Sequence, residues 1–343
     1  MRDAIVGERL DQYELTELLA RSGMASIFRA IDTRSGDTVA LKVPHMQYES
    51  DVAFYQRFER EEQIGQKLDH PNIVHVLRPE SKSRMYLVME YADGSSLRAI
   101  MSKRKRLPVP EALDIARQIG RALVYLHEHG VVHRDLKPEN VLITASGVKL
   151  VDFGIAMDEA ARRLTWAGLS PTMGTPDYMA PEQARGRRGD VRTDVYGLGT
   201  ILYEMVTGEL PHKGANAHAM MRAKMDEDPR PPREVLPDID PSVEEIILQA
   251  IERSPRERYA SAAKMLADLE NPSAVVPRTR EQRRRPLLRS LRVPRRVIAP
   301  AVVTLVIAGL ALLIWATSRP GPRTHGDPGT VVDGGGRGSA RGR

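Results

Sequence analysis

The 343 residues are enough for two domains, and 41% hydrophobic against 28% charged residues excludes a wholly disordered chain. The absence of cysteine excludes disulfides, thiolate metal sites and a cysteine nucleophile. The formal charge of +6 is uneven: residues 271–343 carry +11, from 14 Arg against Glu281, Asp327 and Asp333, which leaves −5 on residues 1–270 and no case for nucleic-acid binding by the folded part.

Residues 1–12 form an N-terminal segment whose charges and lack of an apolar run argue against a signal peptide. Short β-type patterns follow at 13–19, 24–31 and 38–44, separated by turns such as Ser35-Gly36-Asp37. Helical periodicity covers 51–68, and two more strands fit 73–78 and 85–91. After Gly94 the patterns turn helical, at 95–102, 110–130, 193–207, 216–227, 242–252 and 259–269, with short strands at 140–143 and 148–151. The expectation is an α+β chain with a small β-rich lobe, a larger helical lobe and a ligand cleft between them.

Residues 271–296 differ, with nine Arg, four Pro and no aromatic side chain. Residues 297–317, VIAPAVVTLVIAGLALLIWAT, are 21 residues without a charge. As a helix they reach about 31 Å, close to the roughly 30 Å of a bilayer core. Pro300 falls in the first turn, where its missing N–H costs little, and Trp315 stands at headgroup depth. Nine Arg precede this span closely and only Arg319 and Arg323 follow closely, so the preceding residues are expected on the cytoplasmic side. Residues 318–343, with eight Gly in 26 residues, are expected to be a disordered tail outside the cytoplasm, too short for a folded sensor. The Arg cluster at 278–296 has two readings, contact with anionic membrane lipid or enforcement of topology.

Four stretches carry the chemistry. Val39-Ala40-Leu41-Lys42 lies in the third strand. Val132-His133-Arg134-Asp135-Leu136-Lys137-Pro138-Glu139-Asn140 follows the long helix, and Asp152-Phe153-Gly154 comes 17 residues after Asp135. Gly174-Thr175-Pro176-Asp177-Tyr178-Met179-Ala180-Pro181-Glu182 lies downstream. In this order and spacing the chain closely resembles the protein kinase family, in particular the eukaryotic-like Ser/Thr kinases of membrane-anchored bacterial type, over about residues 13–270.

The resemblance implies a bilobal kinase fold followed by a single transmembrane helix, and phosphoryl transfer from ATP to Ser/Thr hydroxyls of proteins. It implies a domain at 13–270, with an N-lobe at about 13–90 and a C-lobe at about 91–270. The linker at 271–296, the span at 297–317 and the tail at 318–343 follow. By resemblance Asp135 accepts the hydroxyl proton. Asn140 and Asp152 hold Mg²⁺, or Mn²⁺ in its place, through hard oxygen ligands. Lys137 touches the γ-phosphate and marks a Ser/Thr enzyme. Lys42 meets the α- and β-phosphates and is fixed by a glutamate among Glu59, Glu61 and Glu62; the pattern Arg57-Phe58-Glu59-Arg60-Glu61 selects Glu61.

The phosphate loop departs from the family. Where three glycines are expected, Leu19-Ala20-Arg21-Ser22-Gly23-Met24-Ala25-Ser26-Ile27 has Ala20, Ser22 and Ala25, and only the neighbouring Gly23 remains. Glycine allows close backbone approach and positive φ. Ala and Ser are the smallest replacements, so the hairpin is expected to close over the phosphates with some loss of freedom. Ile27 and Ala40 roof the adenine and Leu142 floors it; Glu90-Tyr91-Ala92, after gatekeeper Met89, forms the hinge.

Arg134 before the base suggests control by phosphorylation between Asp152 and Glu182, with Ser170 and Thr172 favoured over Thr165. Thr175 is expected to contact Asp135 and Lys137. The resemblance further implies that Asp194 braces the catalytic loop's backbone and that Glu182 and Arg258 form a buried ion pair. The resemblance also allows a homodimer through the kinase lobes. Two function classes stand: an active membrane-tethered kinase, favoured by Lys42, Glu61, Asp135, Asn140 and Asp152, and a pseudokinase scaffold, favoured by the substituted loop alone.

Overall fold

A computed structural model describes residues 3–152, 176–279 and 282–283. The span at 297–317, the tail, nearly all of the Arg-rich cluster, and Thr165, Ser170, Thr172 and Thr175 lie outside the described residues. Among the described residues no helix is long and apolar enough to cross a membrane.

Alternation of side chains organises the first lobe. Strands β1 (Arg9–Leu10), β2 (Tyr13–Arg21), β3 (Ala25–Asp32), β4 (Thr38–Pro44), β5 (Val76–Leu77) and β6 (Leu87–Glu90) form one antiparallel sheet in the order β1-β2-β3-β4-β6-β5. Phe28 and Ala30 of β3, with Val39, Leu41 and Val43 of β4, bury one face together with Tyr13, Leu15, Tyr86 and Val88. Ala40 of β4 and Met89 of β6 join the other, larger core. The register pairs Ile27 with Lys42 and Arg29 with Ala40, so these four share the second face, toward the cleft.

Helix α1 (Met46–Glu49) is a single turn, and α2 (Val52–Gly65) starts at Asp51, whose carboxylate accepts from the N–H groups of Ala53 and Phe54 at 2.9 and 3.1 Å. The expected strands at 73–78 and 85–91 are shorter in the fold, because the chain before Val76 pairs instead with the second lobe: Val74 N–H donates to Leu150 O and Leu150 N–H to Asn72 O, both at 2.9 Å. The expected helix at 95–102 opens with a strand. β7 (Gly94–Ser96) pairs with β8 (Val141–Thr144), which pairs with β9 (Gly147–Leu150), and α3 (Leu97–Arg104) follows. Gly94 permits this pairing, since a Cβ there would lie 2.3 Å from the Ile143 carbonyl oxygen.

The helical lobe contains α4 (Val109–Glu128), α5 (Pro181–Ala184), α6 (Val191–Thr207), α7 (Ala217–Asp226), α8 (Pro241–Ala250) and α9 (Ala262–Glu270). Helix α6 is buried on nearly every side, as a central helix is. It is stopped by Gly208 at φ 75°. Gly197 on α6 lets the helix lie against the catalytic loop: a Cβ would stand 3.1 Å from Leu136 Cβ and 3.3 Å from its carbonyl oxygen. The compact unit runs from Met1 to Pro277, with Val275 packed on its core.

Candidate active site

The alternation that buries Leu41 and Val43 turns Lys42 into the cleft. There its Nζ donates to Glu61 Oε1 at 2.7 Å and also to Asp152 Oδ1. The helical period decides among the three glutamates. Phe54, Phe58, Glu61 and Gly65 form the buried stripe of α2, whereas Glu62 receives Lys82 Nζ at 2.5 Å and Glu59 is exposed. Burial alone would lower the Lys42 ammonium, but Asp152 and Glu61 together hold it well above the ordinary lysine value. Burial raises Glu61 above the usual carboxylate range despite Lys42. Asp152 is held below that range, because Lys42, Lys137 and His133 outweigh its partial burial.

The catalytic loop hangs from α6. Asp194 Oδ2 accepts the His133 N–H at 2.9 Å, Oδ1 accepts the Arg134 N–H at 2.7 Å, and His127 Nε2 lies 2.8 Å from Oδ2. Between these anchors Arg134 adopts φ 61°, a left-handed geometry that costs a side-chain-bearing residue energy and that this clamp sustains. Asp152 has φ 60° as well. Lys137 Nζ lies 2.6 Å from Asp135 Oδ2, and Asn140 Nδ2 donates to the Asp135 carbonyl at 3.0 Å. Val151 N–H donates to the Asn140 carbonyl at 3.0 Å, which sets Asp152 beside Asn140.

The donor set suits a hard divalent cation. The Asn140 amide nitrogen is committed to the Asp135 carbonyl, so its amide oxygen is the atom a cation would take, with the Asp152 carboxylate as a second hard donor. Among the described residues no cluster of three or more His, Asp or Glu forms a metal cage. A Mg²⁺ completed by phosphate oxygens and water requires none.

The phosphate loop shows what the missing glycines cost. Neither Gly23 nor any residue from Leu19 to Ile27 has positive φ, so the turn between β2 and β3 needs no glycine. Ser22 closes it: its N–H and Oγ donate to the Ala25 carbonyl at 2.8 and 3.0 Å, and Oγ accepts from Ala25 N–H at 3.0 Å. The expected loss of freedom is thus built in as a hydroxyl-tightened turn. His45 adds a tie, donating N–H to Met24 O at 2.8 Å and placing Nε2 3.1 Å from Ser26 Oγ. Ser22→Ala removes the side-chain bonds at a cost of about 1 kcal/mol. It is expected to raise the KM for ATP several-fold with kcat unchanged, measured by initial rates.

Ile27 shares a sheet face with Lys42 and Ala40, and buried Met89 is the cross-strand partner of Ala40. At the hinge the Glu90 N–H donates to His75 O at 2.9 Å, and the Glu90 carboxylate takes Lys149 Nζ at 2.6 Å. Ala92 packs against the large core, and Leu142 is half-buried opposite Ser96.

Glu182 and Arg258 form a two-pronged buried pair at 2.8 and 2.7 Å, joined by Thr193 Oγ1 at 2.9 Å. Burial would raise Glu182, but Arg258 holds it below the usual range.

Several residues of the site were not singled out in the sequence. Gln183 Nε2 donates to the Arg134 carbonyl at 2.9 Å. Arg98 reaches Glu139 and Glu204, both at 2.9 Å, and Tyr178. Lys224 is buried beneath residues 177–179. Lys224 alone had a sequence signal: it lies four residues after Met220 and one after Ala223, on an apolar helix stripe.

The protein kinase domain family matches residues 13–269. The chain belongs to the protein kinase family. The serine/threonine-protein kinase PknB of Mycolicibacterium smegmatis is 39% identical over 265 residues, covering 76% of this chain and 42% of that protein. PknB of Mycobacterium tuberculosis is 38% identical over 265 residues, with the same coverage. The chain therefore spans about two fifths of the length of these curated relatives. The kinase domain of Mycobacterium tuberculosis PknI, a C20A mutant, superposes with a TM-score of 0.62 at 25% identity, over 79% of this chain and 99% of that one. Kinase membership brings ATP, a divalent cation and protein hydroxyls as the family's reactants, and a β-sheet lobe over a helical lobe as its fold.

Proposed function

We propose that this chain is an active Ser/Thr protein kinase, tethered to the membrane by residues 297–317. What supports activity is the convergence of two charged groups in one cleft: the Lys42–Glu61–Asp152 triad and the Asp135–Lys137 pair. In this reading Lys42 and Lys137 carry positive charge to the phosphates of ATP. The backbone of Glu90–Ala92 meets adenine between Ile27, Ala40 and Leu142. Asn140 and Asp152 would hold Mg²⁺, which when bound would supply neutralisation of phosphate charge. Asp135 orients the substrate hydroxyl and takes its proton as the oxygen bonds to the γ-phosphorus and the bond to the β-phosphate oxygen breaks, releasing ADP. The substituted loop does not oppose this, since its turn closes without glycine.

The domain reading is 13–270, with a linker at 271–296 that meets anionic lipid or fixes topology. Thr165, Ser170 and Thr172 are the proposed autophosphorylation sites, and a homodimer through the kinase lobes belongs to the same reading. The test is incubation of the full-length chain with ATP and Mg²⁺, followed by phosphosite mapping, with Asp135→Asn as control. Phosphate on Ser or Thr that is lost in the control supports the proposal; absence of transfer with nucleotide still bound makes the chain a pseudokinase.

The topology has its own expected outcome. Protease added to intact cells should remove only residues after 317 and leave the kinase domain whole, read by blotting with antibodies to each end. Digestion of the kinase domain with the tail protected reverses the orientation. Recovery in the soluble fraction without detergent removes the span.

A further inference from the structure

Lys224 lies on α7 with 1% of its surface exposed, among the largest fully buried side chains of the described residues. Its acceptors are main-chain carbonyls: Nζ donates to Asp177 O and, at 3.0 Å, to Met179 O. Nζ also lies 5.3 Å from the centroid of the Tyr196 ring on α6, within cation–π range. An amine is thus buried to hold the three-residue stretch Asp177–Met179.

That stretch borders the candidate site on two sides. Three residues past Ala180, Gln183 holds the Arg134 carbonyl next to Asp135. Tyr178 joins Arg98 and Glu204, and Arg98 joins Glu139, which sits between Lys137 and Asn140. Pro176, Tyr178 and Ala180 are buried while Asp177 and Met179 are half-exposed. The turn therefore has an inner row fixed to the lobe and an outer row, Asp177 and Met179, partly open to solvent.

We propose that Lys224 is a positioning residue for the protein substrate: it staples the Asp177–Met179 turn to α7 and so sets the surface an incoming Ser/Thr peptide meets beside Asp135. The inference rests on the kinase reading above. Burial beneath this turn, only partly offset by Asp177, pulls the Lys224 ammonium down to about 7, so the closed turn favours the neutral amine, and opening, which returns Nζ to water, becomes harder as pH rises through that value. The neutral amine still donates to the two carbonyls, through weaker bonds than an ammonium's, and is spared the larger cost of burying the charge. The groups facing Lys224 do not mask this change. Burial and then Lys224 hold His212 down to about 4, with Arg253 and Asp228 acting on it more weakly, so it is neutral throughout. Burial raises the Asp177 carboxyl, and burial likewise raises Tyr196, which also faces Arg258.

The experiment compares full-length wild type with Lys224→Met, an unbranched side chain without donors. Two readouts are taken at pH values of about 6.5 and about 8.5, either side of the Lys224 value of about 7: initial rates, and amide hydrogen exchange at residues 176–180. At the higher pH the variant is expected to raise the peptide KM about tenfold, with the KM for ATP unchanged and exchange at 176–180 about tenfold faster. Wild type approaches the variant at the lower pH, where closing the turn buries a charge. An unchanged peptide KM and unchanged exchange overturn the proposal, as does a parallel rise in both KM values. If wild type transfers no phosphate, the kinase reading falls while exchange still decides the staple. If the variant does not fold, wild type alone suffices: exchange corrected for its intrinsic pH dependence should slow across this interval, and a flat or quickening corrected rate overturns the proposal.

Discussion

Asp135→Asn is expected to lower kcat by roughly 10²–10⁴-fold, the range that loss of a general base commonly costs. The substitution is nearly isosteric. The asparagine oxygen can still accept from Lys137 Nζ, now 2.6 Å from the carboxylate. The loop is held by backbone groups the change does not touch: Asp194 on His133 and Arg134, and Asn140 on the Asp135 carbonyl. What is lost is the negative charge and the basic oxygen facing the substrate hydroxyl. Transfer to a Ser/Thr peptide, nucleotide titration and a thermal melt together check this: kcat falls while ATP binding and Tm stay near wild type. A kcat within tenfold of wild type takes Asp135 out of the base role.

Glu182→Gln is expected to cost about 3–5 kcal/mol, because it leaves Arg258 charged and without a counter-ion in the core. The Arg258 side chain is 0% exposed and that of Glu182 8%. At about 2–4 °C per kcal/mol for a domain of this size, Tm falls by roughly 6–20 °C. Substituting Glu182→Leu and Arg258→Met together should recover part of this loss, but not all, since Arg258 also donates to the carbonyls of Glu252, Arg192 and Arg253. The pH dependence has a definite sign. Arg258 depresses the folded Glu182 value below its unfolded value of about 4.3. The pair's contribution is therefore present above that unfolded value and is lost as pH falls through the folded one. Melts taken from neutral to acid pH should show the gap between wild type and Glu182→Gln narrowing only in acid.

The sequence was most legible where residue type and spacing are tied to chemistry. Lys42, Asp135, Asn140 and Asp152 could be named because each motif is short and local, and the order of motifs constrains the rest. Helix ends were readable within a few residues where a cap marks them, as Asp51 does for α2 and Asn216 for α7. The strands at 73–78 and 85–91 came out too long because local β-propensity does not show that residues 72–74 pair across to Leu150. Ser22 was read by size alone, while its role is the hydroxyl, which depends on a turn geometry that no pattern of residue types specifies. Gln183, Arg98 and Lys224 act through partners 49, 80 and 45 positions away in the chain. Such pairings become visible only once the helices are packed.

The Lys42 triad bears on how an inactive reference protein should be made. One ammonium holds a carboxylate on α2 and another at the end of the strand after the catalytic loop. Removing it leaves Glu61 and Asp152 facing each other, and Asp152 already pushes Glu61 upward. A lysine-less variant is thus a rearranged molecule, with one acid protonated or α2 displaced, rather than the native shape without its chemistry. Where a partner is to be captured on a silent but native surface, the aspartate variant is the faithful bait, and differences between the two baits would report on the position of α2.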